Sequence, residues 1–163
     1  MNGLTDDYIA IDANVFGHLT SDAGRRHIGD LLRRLIEDGI ILLVDEGGRI
    51  RSEYQSLFPA YMKNAVDVGE EGKLIRYWFA SENHKTVPVN AKSELMVAIK
   101  TVVPAWKGKD RFYVYVAFKE GRILVTNDEE DIWKKGNELK RKTKKFGTRG
   151  ADILTSRQAH AKL

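Results

Sequence analysis

The segment "RILVTNDEED" (122–131) carries an apolar run, across Thr126 and Asn127, to four consecutive carboxylates, Asp128, Glu129, Glu130 and Asp131. Like charges so close repel, and such a cluster is costly unless a cation neutralises it or some acids hold a proton. Two more apolar runs end in an acid: "YIAID" (8–12) in Asp12 and "IILLVD" (40–45) in Asp45. Hard divalent cations prefer oxygen ligands, and Mg²⁺ keeps several waters while taking one or two carboxylates. A metal held in that way stabilises charge on a phosphoryl oxygen and lowers the pKa of a bound water. Acids delivered from distant parts of the chain to one place therefore point to metal-assisted phosphodiester hydrolysis. The plainer reading is that Asp12 and Asp128 cap the helices that follow, and spacing alone does not choose between the two.

The elements that must position these acids are legible in outline. Near-continuous apolar runs at 8–12, 40–45 and 122–128 are the pattern of strands covered on both faces of a parallel sheet. Between the first two, Ile28, Leu31, Leu32, Leu35 and Ile36 keep helical spacing, with Gly39 as the expected C-terminal stop. Strand, helix, strand is a right-handed βαβ crossover. In an open parallel sheet ligands bind beyond the carboxyl ends of the strands, which is the edge where Asp12 and Asp128 emerge. Further helices are predicted at about 49–63, 70–81, 91–102 and 129–142, and a last strand at 151–156 before a polar tail. Asp45 is expected to cap a turn. The segment "RFYVYVAF" (111–118) has the β-branched and aromatic content of a strand, and propensity alone favours that reading over a helix.

The chain has 163 residues, 42% hydrophobic and 31% charged, which fits one domain with a real core. It has no cysteine, which removes disulfides, thiolate nucleophiles and Cys-based zinc sites. The N-terminal sequence does not read as a secretory signal, and no apolar run approaches bilayer-spanning length, so a cytoplasmic protein without membrane contact is expected. The net charge of +4 is uneven: residues 134–149, "KKGNELKRKTKKFGTR", hold eight basic residues and one Glu. These are Lys134, Lys135, Lys140, Arg141, Lys142, Lys144, Lys145 and Arg149. Such a stretch is either a solvated helix face or a field that attracts phosphate backbones.

Four stretches carry a family resemblance. "YIAIDANVF" resembles the opening strand of PIN-domain nucleases, "VDEGGRIRSEYQSLF" their second block, and "KGKDRFYVYVAFKEGRILVTNDEEDIW" the third and fourth. The resemblance spans residues 8 to 133, in the family's order. It implies a three-layer α/β/α sandwich around a central, mainly parallel sheet, and a Mg²⁺- or Mn²⁺-dependent endoribonuclease that leaves a 5′-phosphate and a 3′-hydroxyl. Carried over, Asp12, Glu53, Asp110 and Asp128 form the catalytic and metal-binding cluster, with Asn14 and Thr126 orienting ligands or waters. Asp131 fits an additional acid that sometimes joins the metal in that family. Glu129 and Glu130 are expected instead in the first turn of the next helix, where negative charge is favourable. The resemblance also makes 110–120 helical. Residues 54–109 match least and are expected to form a helical cap specific to substrate or partner.

The resemblance implies an RNA substrate, with the basic segment steering its backbone. It leaves room for an antitoxin or other protein partner and for a homodimer. A PIN-like module that binds RNA or protein without turnover is the alternative, and the presence of all four acids argues against it. Haloacid-dehalogenase-type phosphatases need an Asp where Asn14 stands. "GEEGKL" (69–74) lacks the Ser or Thr and the preceding strand of a phosphate-binding loop, and no G-x-S-x-G elbow occurs. The four histidines show no metal-ligand spacing, and Tyr77, Trp78 and Phe79 are expected to pack inside.

Overall fold

Strand β1 (Tyr8–Ile11) lies at the centre of a five-stranded sheet, with β2 (Ile41–Asp45) on one side and β4 (Ile123–Val125) on the other. Strand β3 (His84–Val87) extends the β2 side and β5 (Asp152–Leu154) the β4 side, and every pairing is parallel. The computed structural model describes residues 8–20, 22–57, 69–79, 83–120, 122–146, 148 and 150–162. Its helices are α1 (Asp22–Glu37), α2 (Arg49–Leu57), α3 (Gly69–Phe79), α4 (Glu94–Lys100), α5 (Asp110–Glu120), α6 (Gly136–Thr143) and α7 (Ser156–Lys162). Helix α1 packs against α3 and α7, while α5 packs on β1 and β2 and α4 bridges α5 and α6. This is a three-layer α/β/α sandwich, as the sequence predicts. No helix among the described residues is long and apolar enough to cross a membrane.

The strand order 3-2-1-4-5 reverses direction at β1. Right-handed crossovers then put the helices before and after the reversal on opposite faces, and a crevice opens between the carboxyl ends of β1 and β4. The apolar runs that gave the strands are buried throughout, from Ile9, Ala10 and Ile11 to Ile123, Leu124 and Val125. Gly39 ends α1 as expected: at φ +68° its N–H reaches the Ile36 carbonyl at 3.1 Å and that of Ile40 reaches Leu35 at 2.8 Å. That is a Schellman closure, which a residue with a Cβ adopts less readily.

Segment 110–120 is the helix α5, against the propensity of its residues. Tyr113 to Phe118 are all buried between the sheet and α4. A helix apolar all round is stable only when buried, and here tertiary packing overrides the β-branched content. The stretch 54–109 supplies α3, α4 and the edge strand β3, which pairs with β2 from Leu42↔His84 to Asp45↔Val87. Helix 49–63 is seen to Leu57, and its expected end lies outside the described residues.

Two expectations late in the chain need correction. No helix starts at 129: residues 129–132 form turns, a 3₁₀ turn covers Trp133–Lys135, and α6 begins only at Gly136. The side chain of Asp128 accepts from the amide of Asp131 (3.0 Å) as a helix cap would. The backbone bonds that follow, however, span five residues, Trp133 N–H to the Asp128 carbonyl and Lys134 N–H to the Glu129 carbonyl (both 2.9 Å), so no α-helical ladder starts here. Glu129 and Glu130 are therefore exposed turn residues, with Glu130 paired to Lys134. The tail after β5 is the helix α7. Thr155 and Gln158 close a capping box in which Gln158 N–H donates to Thr155 Oγ1 (3.2 Å) and Thr155 N–H to Gln158 Oε1 (3.0 Å).

One aromatic contact fixes α2 against the end of β1. Tyr54 is buried among Phe16 and Phe79, with ring centroids 5.7 and 4.6 Å away, and its hydroxyl donates to the Ile11 carbonyl. Ile11 precedes Asp12 and Tyr54 follows Glu53, so this bond holds two candidate acids in register. Tyr54→Phe should destabilise the fold by about 1–3 kcal/mol, because a buried carbonyl loses its partner. Urea unfolding would show the lowered midpoint at an unchanged slope.

Candidate acidic site in the β1–β4 crevice

Each predicted acid reaches this crevice by a different route. Asp12 follows β1 directly and is 3% exposed. Its Oδ1 accepts from the Asn14 amide (3.2 Å) and its Oδ2 from the Thr126 hydroxyl (2.9 Å). Thr126, just past β4, is fully buried and also accepts from the Asp128 amide at 3.1 Å. Asn14 ties the two strand ends together, its side-chain oxygen accepting from the Asn127 amide at 3.1 Å. Thr126 and the Asn14 backbone thus hold the Asp12 carboxyl, and the Asn14 side chain joins the two strand ends.

Glu53 projects from α2, whose N-terminus is capped by Asp45: Oδ1 accepts from Ile50 N–H at 2.7 Å and Oδ2 from Arg49 N–H at 3.1 Å. Tyr113 of α5 donates its hydroxyl to Glu53 Oε2 at 2.6 Å, linking the second acid to the helix that Asp110 opens. A cavity of about 380 Å³ is lined by Asp12, Ala13, Asn14, Ser52, Glu53, Ser56, Lys109 and Asp110. A neighbouring one of about 390 Å³ shares Ser52, Glu53 and Lys109 and extends to Arg49 and Phe112.

The electrostatics record the convergence. Burial pushes the Asp12 carboxyl up to about 7, with Asp110 and Glu53 adding to the rise and the two hydrogen bonds opposing it. Burial also raises Asp110 to about 6; Lys107 opposes this, while Asp128, Glu53 and Asp131 reinforce it. Asp12 thus feels Asp110 and Glu53, and Asp110 feels Asp128, Glu53 and Asp131. Asp131 stands at its rim, 3.8 Å from Lys135.

Two lysines that the sequence reading did not single out share this space. Lys107 Nζ lies 2.8 Å from Asp128 Oδ2 and 3.9 Å from Asp110 Oδ2, and Lys109 Nζ lies 3.7 Å from Glu53 Oε1. The signal was present in "WKGKD", where Lys107 stands three residues before Asp110, the spacing of neighbours on a helical turn. No lysine or arginine pairs with Asp12 among the described residues.

The basic segment lies mostly elsewhere. Lys134 pairs with Glu130, Lys135 with Asp131, Lys140 with Asp152 and Lys142 with Glu138. Lys145 sits over the Phe146 ring, and with Arg141 and Lys142 it lines a groove against α4. Lys144 is exposed, and Arg149 lies outside the described residues. These exposed pairs are weak and screened by salt, so they do not prevent phosphate binding. Of this segment only Lys135 reaches a candidate acid, Asp131 at the rim, whereas Lys107 and Lys109 contact Asp128, Asp110 and Glu53.

No three acidic or histidine side chains among the described residues form a ready-made metal-ligand group. The donor chemistry still suits a hard divalent ion: carboxylate oxygens predominate, and Asp12 carries a charge that its surroundings oppose. His27 and His160 lie against each other with ring centroids 4.7 Å apart and planes tilted by 44°, and His84 lies on β3, so none of these joins the acids. "GEEGKL" lies within α3, and of the three aromatics there Trp78 and Phe79 are buried while Tyr77 is exposed.

Together the fold and the crevice define a doubly wound parallel α/β protein with a braced acidic site at its topological switch point. Comparison with protein-family models, with curated proteins and with solved structures finds no match to this chain.

Proposed function

We propose that this chain is a PIN-type nuclease that hydrolyses RNA phosphodiester bonds with the help of Mg²⁺ or Mn²⁺. The observation that carries this reading is Asp12: a carboxylate buried at the switch-point crevice, opposed by Asp110 and Glu53, with no cationic partner among the described residues. Burying such a charge is costly unless a proton or a cation neutralises it, and a divalent ion is the cation this reading supplies.

Asp12 and Asp128 are the residues that would hold the ion, with Glu53 and Asp110 completing its surroundings. Bound there, the ion supplies Lewis-acid stabilisation of charge on a phosphoryl oxygen. The chain does the rest. Thr126 and the Asn14 amide fix the Asp12 carboxylate in one orientation, and Tyr113 fixes Glu53. Lys109, on the wall shared by both cavities, meets a flanking phosphate without reading its base.

Incubation of labelled RNA and DNA with the protein and Mn²⁺ tests the reading. RNA cleavage that stops with EDTA and in Asp128→Asn supports it; intact RNA, or undiminished cleavage by the variant, overturns it. Thr126→Val keeps the side-chain shape and removes the hydroxyl bond to Asp12. It should weaken Mn²⁺ binding roughly 10- to 100-fold, the usual cost of losing a partner that orients a ligand. A calorimetric titration reads that change directly.

A non-cleaving RNA-binding module is the second reading. The Lys107 ammonium beside Asp110 and Asp128 favours it, because a built-in cation already compensates part of the cluster.

A further inference from the structure

The short 3₁₀ turn Ala105–Lys107 sends Lys107 into the acids and leaves Trp106 in solvent. Trp106 is 78% exposed, the highest value among the exposed large apolar side chains described. A bare indole forgoes the stabilisation that its large apolar surface would give on burial. The turn is also firmly held. Arg111 donates Nε and Nη2 to the Val103 carbonyl at 2.9 and 2.6 Å, and Lys107 N–H reaches the Pro104 carbonyl at 3.0 Å. The indole is thus presented on a braced support, one residue from a lysine that touches Asp128.

Its surroundings indicate what covers it. Lys107 follows directly and Lys109 stands three residues on, both in contact with the acids. The other exposed large apolar residues described, Tyr77 and Val97, belong to different helices. The core of a protein interface is depleted in lysine and gathers several apolar residues. A single aromatic face flanked by cations matches a strand of nucleic acid, whose bases stack on aromatics while its phosphates follow positive charge.

We propose that Trp106 is a stacking platform for an unpaired nucleobase, and that it makes the site select single-stranded over duplex RNA. A base still paired in a helix offers no free face to it. The choice of RNA as ligand rests on the nuclease reading above, whereas the stacking itself needs neither a metal nor cleavage.

The test uses the full chain in EDTA, so that nothing is cut, with single-stranded oligoadenylate of about ten nucleotides and with the same strand annealed to oligouridylate. Tryptophan fluorescence should be quenched by the single strand and little affected by the duplex. Trp106→Ala should lose the quench and bind the single strand roughly ten- to a hundredfold more weakly, with Trp106→Phe in between and both melting like wild type. Unchanged affinity in Trp106→Ala overturns the proposal, as does equal quenching by duplex or no quenching by either strand. If Trp106→Ala instead alters the sedimenting mass at unchanged RNA affinity, the indole belongs to an interface with a second copy. Cleavage without a Trp106 effect sinks only this inference; stacking without cleavage sinks only the nuclease reading.

Discussion

The Asp12→Asn variant should lose RNA cleavage by more than about a hundredfold while its metal-free fold melts higher than wild type at pH 8. The two effects share one cause. The folded protein holds the Asp12 carboxyl near 7 against an ordinary value of 3.8, through burial first and the charges of Asp110 and Glu53 next. Between those values the native state binds more protons than the unfolded chain, so stability falls as pH rises through the interval. Below it the penalty is absent, and above about 7 it is complete. Asparagine carries no such charge and keeps an oxygen for the Asn14 amide. The melting difference between variant and wild type should therefore grow from about pH 4 to pH 7 and then level off, at an upper bound on the order of 4 kcal/mol. Calorimetric scans across that range would detect it. A flat difference would mean that Asp12 titrates as an ordinary carboxylate.

Lys107→Met should reverse the balance between apo stability and metal affinity. Removing an ammonium 2.8 Å from Asp128 and 3.9 Å from Asp110 leaves both carboxylates without that counter-charge. Asp128 is largely buried, and breaking such a pair costs several kcal/mol when both partners are buried. Lys107 is about one-third exposed, so solvent screening reduces the expected loss to about 1–3 kcal/mol. The vacated charge then favours a divalent ion that no longer competes with lysine, and Mn²⁺ should bind about tenfold or more tightly. Melting curves with and without Mn²⁺ separate the two effects, because an ion that binds only the folded state raises stability by RT ln(1 + [L]/Kd). An equal Mn²⁺ shift in both proteins would show that Lys107 does not occupy the place of the ion.

Where one physical signal dominated, the sequence was easily read. The apolar runs ending in Asp12 and Asp45 are strands because unbroken burial demands them, and Gly39 stops α1 because the turn needs positive φ. Helix α5 was legible only through family likeness, since its aromatic and β-branched residues are helical by virtue of tertiary packing. Strand β3 escaped notice because "HKTV" lies on an edge, where one side needs no apolar face and Lys85 pairs outward with Glu120 at 2.8 Å. The late start of α6 goes with the wider backbone turn at 128–134, whose bonds span five residues and which composition does not reveal. Helix α7 could have been found, because Thr155 and Gln158 have the spacing of a capping box.

The acids at strand ends were visible in the sequence, whereas Asn14 and Thr126 were singled out only by the family resemblance, which did not specify these hydrogen bonds. The lysines were harder. A count of charges drew attention to 134–149, where neighbouring acids already pair with many of the cations. The two that matter for the crevice, Lys107 and Lys109, are isolated in sequence and gain significance only when α5 brings them beside Asp128 and Glu53.

Titration of the wild-type protein and Asp12→Asn with Mn²⁺, following the free ion by its paramagnetic resonance signal, asks most directly whether this crevice is a metal centre. Saturable uptake by the wild type that is lost in the variant is the expected result. No saturable uptake, or the same uptake by both proteins, would contradict it.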